Sequence, residues 1–164
     1  MGAREPRTPE RAAQAGMTFL ELLATATIMM ILASAVLPLA KVTVKRQREI
    51  ELRRALRDVR TAIDRYHDAV QAGQIGGSDV PVGSEGFPPK LEVLVEGVNQ
   101  VGTLGRKLKY LRRIPRDPMT NTSEWGLRCY QDAPDDDSWC GSNVWDVYTK
   151  SAGVGLDGTP YREW

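Results

Sequence analysis

From Met17 to Ala40 the chain runs 24 residues with a single charge, Glu21. As an α-helix this run would be about 36 Å long, enough to cross a hydrocarbon core of about 30 Å, and it is read as a membrane span. Only a helix that closes its own backbone hydrogen bonds suits such a stretch. The hydroxyls of Thr18, Thr25, Thr27 and Ser34 are tolerable in it because they can bond back to helical carbonyls. Glu21 is the anomaly. An ionised side chain within a span costs about 2.5–3.5 kcal/mol on insertion scales, so an intramembrane carboxylate is a functional candidate once a partner can be named. A cut after Gly16 would supply one, a new amino terminus on Met17 near the depth of Glu21. No A-x-A cleavage site follows the run, since Ala33-Ser34-Ala35 lies inside it; the run is read first as an anchor, with an ordinary removed secretory signal as the alternative.

Residues 1–16 are polar, carry Pro and Ala, and show no periodicity, which suits a leader. Pro38 near the end of the span predicts a kink. Beyond it, Leu52, Leu56, Val59, Ile63, Tyr66 and Val70 recur at alternating spacings of three and four, one continuous helical stripe. Glu49–Arg53, Arg54–Asp58 and Arg60–Asp64 stand at i,i+4 and are expected to pair across the surface of this helix. His67 sits beside the stripe and is expected at the surface or in packing. Gly73, Gly76 and Gly77 end the helix, and residues 73–90 read as a loop. Leu91–Val95 predicts a short helix; Leu127–Tyr130 and Val144–Thr149 predict short strands. The expected architecture is thus α+β: a leader (1–16), a transmembrane helix (17–40), its amphipathic continuation (41–72) and a small head (73–164) whose core borrows the stripe.

The net charge is +1, which argues for no nucleic-acid partner. Of the 22 Lys and Arg and 21 Asp and Glu in the chain, residues 1–16 hold three and two, so the remainder is balanced in sign. Cys129 and Cys140 form no CxxC pair and cannot complete a four-ligand zinc site alone. They are read as a disulfide if this part is exported, or as two reduced thiols if it is cytosolic. There is no Walker A motif and no nucleophile–base pattern, and Asp135-Asp136-Asp137 reads as a solvated loop. An enzymatic activity is not expected.

Gly16-Met17-Thr18-Phe19-Leu20-Glu21, with Pro38 in register, resembles the processing motif of type IV pilins and of the pseudopilins of type II secretion, and is most similar to the major pseudopilins. Gly86-Phe87-Pro88-Pro89 with Leu91 and Leu94, Ile114-Pro115-Arg116-Asp117-Pro118 with Asn121 and Trp125, and Asp146-Val147-Tyr148 followed by Leu156-Asp157-Gly158 resemble segments of the same branch. The resemblance implies a pilin-like fold, a long kinked N-terminal helix packed on a small antiparallel sheet. It implies cleavage by prepilin peptidase between Gly16 and Met17, N-methylation of Met17, and a single-pass protein of the bacterial inner membrane with a cytoplasmic N-terminus and a periplasmic head. It further implies a homo-polymer in which Glu21 meets a neighbour's Met17 amine. Minor pseudopilins, an assembly platform and a separate ATPase would be its partners. Ser151 and Asp157 stand where the family carries a calcium loop, for which a plain Gly/Asp turn is the alternative. The function implied is that of a pseudopilus subunit driving protein export; the alternatives are a surface type IV pilin for adhesion, motility or DNA uptake, and an uncleaved membrane-anchored binding domain.

Overall fold

The computed structural model describes residues 18–77, 79–103, 105–133, 136 and 138–164. The leader, Gly16, Met17 and, in the acidic run, Asp135 and Asp137 lie outside the described residues. The chain divides into two units, Met1–Val42 and Thr43–Trp164.

Helix α1 (Phe19–Gln71) begins in the first unit. Thr18 starts it: its hydroxyl oxygen accepts the Glu21 N–H at 3.3 Å and its carbonyl the Leu22 N–H at 3.1 Å. The expected back-bonding of hydroxyls occurs, Thr25 to the Leu22 carbonyl, Thr27 to Leu23 and Ser34 to Ile31. Pro38 lies inside the helical run, which continues through it. Five consecutive residues, Ile28 to Leu32, are all exposed, so the apolar surface runs round the whole helix. A helix apolar on every side needs lipid or other helices around it, and this one is long and apolar enough to cross a membrane.

In the second unit the same helix changes character. Leu52, Leu56, Val59, Ile63 and Tyr66 are 0–2% exposed, with Val70 half-buried at the end of the stripe. Ala55, Ala62 and Ala69 widen the buried face, bringing the head close to the helix backbone. Burying each of the larger side chains is worth about 1.5–3 kcal/mol, so this face dominates the core. The helix ends in a Schellman turn. The Gln74 N–H reaches the Ala69 carbonyl, the Gly73 N–H reaches Val70, and Gly73 takes φ 68°, which glycine adopts without a Cβ penalty.

Helix α2 (Leu91–Glu96) buries Leu91 and Leu94 against this face. Strand β1 (Val98–Asn99) pairs antiparallel with β2 (Lys107–Leu108), and β3 (Gly126–Arg128) with β4 (Asp146–Tyr148). The fold is α+β, with a long N-terminal helix and small antiparallel sheets; among the described residues the four strands make two separate ladders rather than one sheet. Both expected strands are present in shorter form. The first starts one residue earlier, at Gly126, and gives way at Cys129 to the disulfide loop. Gly126 is required in that ladder because the Tyr148 ring occupies the space a Cβ would take, while the Arg128 guanidinium lies 4.5 Å from the same ring's centre.

Candidate functional site

Glu21 falls in the first turn of α1, flanked by the exposed side chains of Phe19, Leu20, Leu22 and Leu23. Its carboxylate has no hydrogen-bond or ion-pair partner among the described residues. Thr18-Phe19-Leu20-Glu21 has the T-x-x-E form of a capping box, a signal present in the sequence but absent from the reading above. Only its forward half forms here, the Thr18 hydroxyl holding the Glu21 N–H. An acidic side chain in the first turn also complements the helix dipole. In an apolar setting a bare carboxylate needs a cation or donor from outside this segment.

A second polar cluster joins α1 to the C-terminal segment. Glu49 is 8% exposed, and its Oε1 accepts the Tyr161 hydroxyl at 2.9 Å and the Leu156 N–H at 2.8 Å. Burial and the bond to Glu49 raise the Tyr161 pKa to about 12. Arg60 donates to both carboxylate oxygens of Asp146 (2.6 and 3.2 Å), to the Val147 carbonyl and to the main-chain oxygen of Trp164. Arg53 reaches Asp157 at 3.4 Å and lies 4.2 Å from the centre of the Trp164 ring system. None of the three expected i,i+4 pairs forms. Glu49, Arg53 and Arg60 reach across the sequence instead, because the C-terminal segment lies over this stretch of the helix.

The residues expected to hold calcium do not fit it. Asp157 is the only carboxylate in the turn. Its Oδ1 accepts the Thr159 N–H at 3.0 Å and its Oδ2 faces Arg53. The Thr159 backbone, then the Thr159 side chain, then Arg53 hold its carboxyl below the usual range. The Ser151 hydroxyl is engaged by the Gly153 N–H. Calcium needs about six to eight oxygen ligands, and here the candidate oxygens already accept protein donors. Among the described residues the cluster with metal-ligating atoms within reach of one another is Cys129, Asp132 and Cys140. That cluster is no metal site either: Cys129 and Cys140 are joined in a disulfide, so neither offers a thiolate, and Asp132 accepts the Cys129 N–H at 2.7 Å.

Two buried polar residues escaped the sequence reading as organisers. Asn143 takes the Tyr130 N–H on its side-chain oxygen and donates to Gln131, bracing the disulfide loop. Asp117 accepts from the Met119 N–H and from the hydroxyls of Thr120 and Thr149, tying the Ile114–Pro118 loop to the end of β4. Asx-type turns after Asp-Pro were the available signal for Asp117; nothing local marked Asn143. His67 stacks on Phe87 with ring centres 4.3 Å apart, a packing contact. No family model, curated protein or solved structure matches the chain.

Proposed function

We propose that the chain is a pseudopilin, a structural subunit that is cut after Gly16 by prepilin peptidase, N-methylated on Met17, and polymerised into a periplasmic pseudopilus that drives type II protein secretion. The observation that carries this reading is a Glu21 carboxylate, without a partner among the described residues, in the first turn of a helix whose apolar surface is exposed all round. In the monomer the span would lie in the inner membrane, with the N-terminus cytoplasmic and the head periplasmic. In the filament the same surface would pack against neighbouring helices. The Met17 ammonium of one subunit would then meet the Glu21 carboxylate of the next. Two lone charges in a low-dielectric layer are each costly, and pairing recovers much of that cost. The pair therefore favours correctly registered subunits, while helix packing supplies cohesion. The finer fold proposed is pilin-like, with the stripe from Leu52 to Tyr66 as the seat of the head. The Cys129–Cys140 bond supports an oxidising compartment for the head. Energy for assembly would come from a separate ATPase acting through an inner-membrane platform, with minor pseudopilins at the tip.

The same disulfide favours a second reading, a type IV pilin of a surface pilus, since such pilins often carry a C-terminal disulfide loop. Deletion separates the two: loss of protein secretion with surface pili intact supports the pseudopilin, and the converse supports the pilin. The test of the shared mechanism is Glu21→Val. This variant is expected to insert in the membrane as wild type does and to form no filaments. Normal filaments from it would show the charge pairing to be dispensable.

A further inference from the structure

The turn from Gly153 to Tyr161 is closed by hydrogen bonds between its own arms. Gly155 donates its N–H to the Thr159 carbonyl at 2.8 Å, Gly158 to the Gly155 carbonyl, and Tyr161 to the Gly153 carbonyl. Val154 and Pro160 form an antiparallel bridge across its base. The Gly153, Gly155 and Thr159 carbonyls are thus already hydrogen-bonded within the turn. Asp157 turns its Oδ2 to the Arg53 guanidinium, a positive charge already beside the one carboxylate of the turn. From the helix side, one oxygen of Glu49 gathers two donors from opposite arms of the turn, the Leu156 N–H and the Tyr161 hydroxyl. These donors lie 107 and 112 residues from it in sequence. A carboxylate that accepts bonds from both arms does the tethering a central cation would do from inside, with the charges reversed: the anion sits on the helix and the turn presents donors.

We infer that the C-terminal turn of this chain is locked to α1 by the Glu49 carboxylate in place of a divalent cation, so that the head folds and stays folded without calcium. The inference does not depend on the filament reading; it concerns how this head is closed, whatever the chain assembles into. It departs from the calcium loop that the family resemblance implies. It also gives Glu49 a role that its position on a charged helix conceals.

The test uses the full-length protein in detergent micelles, with thermal unfolding followed by near-ultraviolet circular dichroism of the Tyr and Trp bands. The wild-type midpoint is expected to be the same in EDTA and in millimolar calcium chloride. A midpoint that falls in EDTA and recovers with calcium overturns the inference. Glu49→Gln keeps the shape and removes the charge. It is expected to lower the midpoint by about 5 °C, equally with EDTA and with calcium. Rescue of Glu49→Gln by calcium would also overturn it. Should Glu49→Gln fail to fold, Tyr161→Phe removes a single donor from the same oxygen and is expected to show a smaller loss that calcium does not repair; repair by calcium contradicts the lock.

Discussion

Reducing the Cys129–Cys140 bond should destabilise the head by about 3 kcal/mol. The two cysteines are 11 residues apart, and closing a ring of that size removes about 9–10 cal/mol/K from the unfolded chain, close to 3 kcal/mol at 25 °C in the chain-entropy treatment. The native loop is held by other means as well. Asp132 accepts the Cys129 N–H, Asn143 bonds Tyr130 and Gln131, and the Trp139 indole donates to the Asn143 carbonyl at 2.6 Å. Those contacts order the folded loop but do nothing to restrain the unfolded one, so the bond's contribution should survive their presence. Reduction is a better perturbation than substitution, because Cys129 is wholly buried and Cys129→Ala would add a packing loss of its own. For the Thr43–Trp164 unit, at about 2.1 cal/mol/K of unfolding entropy per residue, the loss corresponds to a fall of about 10 °C in midpoint. The assay is thermal unfolding of the micelle-bound protein with and without a phosphine reductant, with free thiols counted to confirm reduction. A fully reduced protein that melts within about 2 °C of the oxidised one would refute the entropic argument.

Two further outcomes follow from the helix-to-head contacts. Arg60→Met should lower stability by about 2 kcal/mol, between the values for exposed and buried pairs, since the Arg60 and Asp146 side chains are only partly buried. A double-mutant cycle with Asp146→Asn should give a coupling of about 1–2 kcal/mol, and additivity would show that the bidentate pair contributes nothing specific. Stability should also fall at alkaline pH. Tyr66 and Tyr161 are raised from 10.0 to about 12, chiefly by burial, so folding favours the neutral phenol. That contribution is complete below pH 10 and is lost as pH rises toward 12. Denaturant titrations across this window should show the decline, shallower in Tyr161→Phe; a flat profile contradicts it.

Much of the helix was legible because its periodicity is strong. The stripe from Leu52 to Tyr66 is buried as expected, since large apolar residues at spacings of three and four leave one solution. Ala55, Ala62 and Ala69 were not legible, because alanine is as common on a helix surface as at a close contact. Glu49 and Arg60 misled for a physical reason. An i,i+4 partner was available to each in sequence, but such exposed pairs yield only a few tenths of a kcal/mol. Partners in the C-terminal segment, less exposed to water, bind more strongly, and nothing in the local sequence reveals that segment's position. The cysteine pairing was legible by count, there being two. The strands were legible in place but not in extent: Leu127–Tyr130 is cut short by the departure at Cys129, and Val144 is spent on a bond to the Pro88 carbonyl rather than on the ladder. For Glu21 the sequence carried both the apolar setting and the capping pattern with Thr18, and only the former was recognised.

Under the proposed function the chain acts after losing residues 1–16, with Glu21 meeting a neighbour's Met17 amine in a filament. Mass spectrometry of the amino terminus of the protein recovered from its functional, membrane-derived form tests it most directly. The expected species begins at Met17 and carries one N-methyl group. A functional protein that retains Met1 would contradict the filament mechanism and point to an uncleaved, membrane-anchored domain instead.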